Sequence, residues 1–391
     1  MMTTFNTLPA GEILFPTTPY FTNEEFFGRE QDVKRIRQWL DLGHSLMLTG
    51  KRRIGRTWLL QHLCSALTPP QYLAIYDDNL QPNTIFPRSL RILLSIWINA
   101  LHKVLRHQLS GQTALTMLDI ANPPENIGAA FRNDLNILHQ HLVAANHIAV
   151  IMLDEAEALL EYENQAIISA IIRSITTSYS HIRIIFAGYQ LRSQDFVQSK
   201  IFDDCKEYQL YGVGTEGAEN LLARRLECHG IQFESPKIWE NILATTGEEP
   251  LFLRFLGQQL TEQARQQNDR IISQEQLDTA VENLFTIPDI TTSILGYSWN
   301  TLGQNQLIHT LITALAHRHR QVTDLAQQDE LIATICKSVY GGQQQSPEKI
   351  YTDLQRLCDL GFLRRSDDGM YLFSSGLLHE WIRRQRPNPA L

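Results

Sequence analysis

Two patterns of apolar residues alternate along the first half of this chain, and one of them gives way in the second half. Short runs at 45–49, 71–75, 148–153, 182–187 and 206–211 predict five strands, and Ile148–Leu153 and Ile182–Ala187 are apolar almost throughout. Strands of that kind are buried on both faces, which is the habit of a parallel sheet. Between them apolar residues recur at helical spacing. The segment 31–42 places Val33, Ile36, Trp39 and Leu40 on one face, and 164–178 does the same with Ile167, Ile168, Ile171, Ile172 and Ile175. Further helices are predicted at 58–67, 88–107 and 125–145. Strands alternating with helices predict a doubly wound α/β core. From 216 onward the pattern is helical, at 216–229, 236–244, 251–266 and 274–284, and 287–296 reads as a linker. Helices at 304–317, 325–340 and 347–360 follow, then a hairpin, 362–365 and 370–373 around the turn at 366–369, then a helix at 377–386. That order predicts a winged helix. The expected divisions are an extended lead-in at 1–22 with Pro9, Pro16 and Pro19, an α/β core at 23–212, a helical lid at 213–286 and a winged-helix domain at 287–391.

The first strand runs straight into Gly50-Lys51-Arg52-Arg53-Ile54-Gly55-Arg56-Thr57-Trp58, where a helix begins. Strand, glycine and cation loop, then helix is the arrangement that cradles a polyphosphate. Gly50 and Gly55 let the backbone N–H groups approach phosphate oxygens, and the helix start adds its positive dipole end. The pattern G-x-x-x-x-G-R-T is one residue away from the phosphate-loop signature G-x-x-x-x-G-K-[ST]. Arg56 stands where lysine is expected, keeping the charge but replacing a compact ammonium with a wide planar fork. Phosphate binding survives that change more easily than fast hydrolysis. The expected ligands are ATP and Mg²⁺, with the Thr57 hydroxyl placed on the metal.

A second acidic motif completes the reading. Ile148–Leu153 ends in Asp154-Glu155, so a central strand delivers carboxylates to the carboxyl edge of the sheet. Asp154 is expected to hold magnesium through water and Glu155 to polarise the water attacking the γ-phosphate. Glu157 reads as a solvated residue at a helix start. This segment resembles a Walker B box of the hhhhDE type. Together with Phe27-Gly28-Arg29-Glu30 ahead of the loop, it resembles the STAND ATPases and the origin-recognition branch of the AAA+ ATPases, from Phe26 to about Arg386. The resemblance implies an AAA+-like P-loop core with a parallel five-stranded sheet, a helical lid and a terminal winged helix. It implies that Phe27, Gly28 and Arg29 lie beside the adenine and that Gln190, after the fourth strand, senses the γ-phosphate. In Thr246-Gly247-Glu248-Glu249-Pro250 it implies a lid box whose Pro250 touches the nucleotide, with Arg254 as a second phosphate sensor. Arg173, Arg183 and Arg192 are candidates for an arginine finger.

Composition narrows the partners. Acidic residues outnumber basic ones, 42 to 34, for a net charge of -8, so the chain as a whole is no general nucleic-acid binder. Residues 287–391 carry ten basic and ten acidic side chains, which favours a protein contact over DNA for the winged helix. Five scattered cysteines without a C-x-x-C pair read as thiols of a reducing compartment. With no secretory leader or membrane span in view, the expected location is the cytoplasm. Three functions follow: an ATP-hydrolysing switch that controls domain arrangement or assembly with a protein partner or further copies of itself, a winged-helix DNA-binding ATPase, or a nucleotide-holding scaffold that does not turn over.

Overall fold

The apolar runs do form the centre of a parallel sheet in the computed structural model of the chain. It describes residues 15, 28–77, 89–105, 115–118, 124–162, 164–189, 191, 200–303, 305–318, 347–366 and 369–386. Phe27, Gln190, Arg192, the lead-in apart from Phe15, and the expected helix at 325–340 lie outside the described residues. The chain divides into two compact units, one holding residues 30–49 and 56–210, the other 1–29, 50–55 and 211–391.

The first unit begins with α1 (Glu30–Asp41), then β1 (Leu46–Thr49) and α2 (Arg56–Ala66). β2 (Tyr72–Asp77), α3 (Leu90–Leu105), α4 (Ile127–Ala145), β3 (Ile148–Leu153), α5 (Gln165–Ser178), β4 (Ile182–Ala187) and β5 (Lys206–Gln209) follow. The strand order is β2-β3-β4-β1-β5, and every neighbouring pair is parallel. β4 is therefore inserted between β1 and β3: it follows β3 directly in strand order through α5, while β1 lies more than 130 residues earlier in the chain. Connections leave β1 and β4 toward opposite ends of the sheet, which makes the carboxyl edge there a switch point where α/β sheets bind ligands. The long insertion between β2 and β3 packs as α3 against α4, burying Trp97, Leu101, Phe131 and Leu138. Asp134 is fully buried among them, and its carboxylate accepts from the Thr116 and Met117 amides at 3.0 and 2.7 Å. Those two bonds offset the desolvation of the charge.

The second unit is mostly helical. It holds α6 (214–228), β6 (Gln232–Phe233), α7 (Pro236–Thr246), α8 (Pro250–Gln267), β7 (Ile271–Ile272) and α9 (Gln274–Leu284). α9 starts with a capping box of Ser273 and Gln276, and α7 and α8 each carry proline in the first turn. Residues 288–300, expected in part as a linker, are instead helical (α10), with a π-helical stretch at Thr291–Gly296. The reason is burial: Ile290, Ile294, Leu295 and Trp299 all join the apolar core of this unit. After it come α11 (Gln306–Arg318), α12 (Pro347–Asp359), the antiparallel hairpin β8 (Leu363–Arg365) and β9 (Tyr371–Phe373), and α13 (Gly376–Gln385). This helix, hairpin, helix order is consistent with a winged helix, and its Leu357, Phe362, Phe373 and Ile382 share one core with Leu256 and Leu277. Among the described residues no helix is long and apolar enough to cross a membrane.

Candidate functional site

In the first unit, β1 and β3 bring two halves of the sequence signature together. α2 starts at Arg56, so Thr57 stands in its first turn, and Asp154 directly follows β3. The Thr57 hydroxyl donates to Asp154 Oδ2 at 2.7 Å, and the Tyr76 hydroxyl donates to the same oxygen at 3.1 Å. Asp154 Oδ1 accepts the Glu155 amide at 3.0 Å, and Asp154 is 2 % exposed. This carboxylate is held in one orientation with a hydroxyl oxygen beside it. A hydroxyl oxygen and a carboxylate side by side are the hard donors that would hold magnesium, directly or through water. The pair therefore fits magnesium, with Thr57 donating its proton to Asp154 while its lone pairs remain available.

Two further carboxylates follow within one short turn. Glu155 has a left-handed backbone, φ 53°, and precedes the 3₁₀ turn Ala156–Glu161, with its side chain half-buried. Such a conformation costs free energy in a non-glycine residue and commonly marks a functional position. Glu157, expected to be solvated, has both carboxylate oxygens buried. A Cβ on Gly188, just after β4, would collide with Glu157 Oε2, so glycine there keeps the niche open. Burial pushes the Glu157 carboxyl up from 4.5 to about 7; the Glu155 charge adds to the rise and the Arg56 guanidinium opposes it. Arg56 is itself 7 % exposed.

Because the folded chain holds the Glu157 proton more tightly than the unfolded one, stability falls as pH rises through the window from 4.5 to about 7. Replacing Glu157 with glutamine, which imitates the protonated form, should stabilise the protein by about 2 kcal/mol at pH 8 and change little at pH 4. Urea unfolding at both values checks this, and an equal effect at the two would contradict it.

The loop 50–55 belongs to the second unit. Gly55 has φ +98°, a conformation that glycine adopts freely, and nothing lies within 4 Å of where its Cβ would stand. Ile54 is buried, and its carbonyl accepts from Arg29 at 2.7 Å; the same guanidinium nitrogen also reaches the Tyr211 carbonyl at 2.7 Å. Arg29 therefore anchors the end of the loop. Gly28 lies against Gly217 and Val213, where no side chain has room. Lys51 forms an ion pair with Glu249, and the Arg52 guanidinium lies 4.0 Å from the centre of the Tyr297 ring. Arg53 has φ 64°. Pro250 is buried at the start of α8, and Arg254 is 1 % exposed within the same helix. Trp58 is half-buried on α2. Of the arginine-finger candidates, Arg173 pairs with Asp203 and Asp204, and Arg183 is buried, donating to the Ile182 carbonyl at 3.0 Å.

Sequence reasoning missed Tyr76, Gly188 and Glu249. Tyr76 could have been found once β2 was paired with β3, since its register partner Met152 lies two residues before Asp154. For Glu249, 198 residues from Lys51, no local pattern carries the signal.

No protein-family model and no curated protein sequence matches the chain. Solved structures do resemble it. One is a Walker-type ATPase of Pyrococcus abyssi, with a TM-score of 0.60 and 15% sequence identity over 95% of this chain and 99% of that one. Another is the ORC2 protein of Aeropyrum pernix in ADPNP–ADP complexes, with a TM-score of 0.53 and 14% identity over 94% of this chain and 96% of that one. Identity this low speaks for architecture alone. The inserted β4, the loop after β1 and the acid after β3 agree with that architecture, and the chain has the α/β fold of the origin-recognition-like AAA+ P-loop ATPases.

Proposed function

We propose that the protein binds ATP with magnesium and hydrolyses it slowly, as a STAND-type switch whose nucleotide state governs assembly with a protein partner or with further copies of itself. The observation that carries this reading is the 2.7 Å hydrogen bond between Thr57 and Asp154, residues 97 positions apart. A hydroxyl at the start of the helix after a phosphate loop has little reason to meet a buried strand-end carboxylate unless the two serve one cation. Thr57 and Asp154 would hold the magnesium ion, which would supply positive charge against the phosphates. The amides of 50–57 and the Arg56 guanidinium hold phosphate oxygens, and Glu155 accepts a hydrogen bond from the attacking water and orients it. Arg56 binds as a fork rather than a point charge, which favours retention of the nucleotide over rapid turnover.

A protein partner is favoured over DNA because the arginines of α13 and its C-cap are already engaged. Arg384 pairs with Glu282 and Glu380, Arg383 pairs with Glu380, and Arg386 lies 4.7 Å from the centre of the Trp299 ring. Phosphate contacts would have to displace these. Titration calorimetry with ADPNP, beside steady-state phosphate release, tests the reading. Micromolar binding with turnover well below 1 per second is expected, about 8 kcal/mol of binding free energy. Absence of binding at millimolar nucleotide would overturn it, and binding without any phosphate release would leave the non-hydrolysing scaffold instead.

A further inference from the structure

Within the second unit, two turns far apart in sequence pack backbone to backbone. A Cβ on Gly247 would collide with the Ser374 carbonyl oxygen, and one on Gly376 would stand 2.9 Å from Thr245 Cα. The turn between α7 and α8 is therefore seated on the turn between β9 and α13. Lys51, the residue after the first glycine of the phosphate loop, reaches into this junction. Its Nζ pairs with Glu249 and donates to Ser374 Oγ at 3.4 Å. Its stem lies on Gly361, where an added Cβ would be 2.7 Å from Lys51 Cβ, and its ammonium is 5.9 Å from the centre of the Phe252 ring. The two paired side chains are only 16% and 8% exposed, and the walls around them include Ile294, Leu295, Phe362 and Leu378. Burial raises the Glu249 carboxyl above its usual range, and Lys51 opposes the rise.

A buried ion pair adds little net stability, because desolvating both charges offsets most of their attraction; removing one partner, however, leaves the other stranded. Such a pair suits a contact that is exchanged rather than one that is permanent. A triphosphate presents several negative charges in place of one, and it takes the same cation. We propose that Glu249 is an internal competitor for Lys51: its carboxylate holds the first cation of the phosphate loop at the junction of the 246–249 and 374–376 turns, and bound nucleotide displaces it. The inference rests on the nucleotide-binding reading above. Since coupling is reciprocal, whatever frees Lys51 from Glu249 tightens nucleotide binding, and nucleotide loosens the junction in the same proportion. The lid and the hairpin region would then respond to the nucleotide through this one charge exchange.

The wild-type chain offers the first test. Carbodiimide coupling of glycine ethyl ester to Glu249, read by mass spectrometry, should increase when ADPNP and magnesium saturate the protein. Unchanged labelling in protein that calorimetry shows to be loaded overturns the competition. The second test is a cycle of E249Q, K51M and the doubly substituted chain. E249Q should bind ADPNP about tenfold more tightly than wild type, and in the K51M background the same change should alter affinity less than about twofold. Equal or weaker binding by E249Q, or an equal gain in both backgrounds, overturns the proposal while leaving nucleotide binding intact. If no chain binds ADPNP, the nucleotide reading itself has failed and the competition falls with it. K51M/E249Q removes both members of the ion pair together, leaving neither stranded, and the labelling experiment needs no substitution, so a variant that misfolds does not decide the matter.

Discussion

Replacing Asp154 with alanine is expected to lower magnesium-dependent phosphate release by about 10³-fold, equivalent to about 4 kcal/mol at 1.36 kcal/mol per factor of ten. The size follows from how many groups depend on this one carboxylate. Its Oδ2 accepts hydrogen bonds from the Thr57 and Tyr76 hydroxyls, and its Oδ1 accepts one from the Glu155 amide at the start of the next carboxylate residue. Removal leaves the metal without its anionic anchor and two hydroxyls without an acceptor, each costing about 1–3 kcal/mol where they are out of water. Asp154→Asn separates the two effects. It preserves the shape and most of the hydrogen bonding but not the charge, so turnover should fall nearly as far while the melting temperature moves less. Phosphate release measured across a magnesium series, with thermal unfolding alongside, checks both statements. A variant that still turns over at the wild-type rate would remove the metal role from this pair.

The sheet was legible in the sequence because its signal is local. An unbroken run such as Ile148–Leu153 has few conformations that bury every side chain, and a central parallel strand is one of them. The loop between β1 and α2 was legible for the same reason, since glycines, cations and a helix start are neighbours in the chain. What escaped was set by distant residues. Glu157 looks like any acid near a helix start until Gly188 is known to roof it. The linker expected at 287–296 contains Pro288, Asp289, Thr291, Thr292 and Ser293, a run with the composition of a loop. Its apolar residues Ile290, Ile294 and Leu295 share one buried core with Trp299 beyond it, along a π-helical stretch that shifts the period away from 3.6 residues per turn. β6 and β7 are two residues each, too short for any period to register. The ion pair of Lys51 and Glu249 depends on a chain path that local pattern does not describe.

These omissions bear on function in one direction. The residues read from sequence, one contiguous loop and one strand end, are those proposed above for nucleotide and metal. The structure adds the burial of Glu157 beneath Gly188 in the first unit and, in the second, the ion pair of Glu249 with Lys51. Arg56 shows why both sets matter: the sequence identifies it as a departure from lysine, while the structure buries it in the same surroundings as the Glu157 carboxyl, whose rise it opposes, an environment that a lysine signature would not have suggested.

Substituting Glu155 with glutamine should separate binding from turnover most cleanly. The residue is half-buried, directly follows Asp154 and carries a left-handed backbone at the end of β3. Glutamine is nearly isosteric and keeps one acceptor oxygen, so ADPNP affinity is expected to stay within about twofold of wild type. What it lacks is the charge that orients the attacking water and draws on its proton, and general-base and positioning roles of this kind are worth about 10²–10⁴ in rate. Phosphate release should therefore fall at least about 100-fold, with ATP recovered intact from the isolated protein. Glu157 is the necessary comparison, because it lies two residues away and its carboxyl is protonated for much of the neutral range. Glu157→Gln should leave turnover at pH 6 within about threefold of wild type, since a group already neutral there has little charge to lose. If Glu157→Gln instead stops hydrolysis at that pH while Glu155→Gln does not, the water-orienting role passes from Glu155 to Glu157.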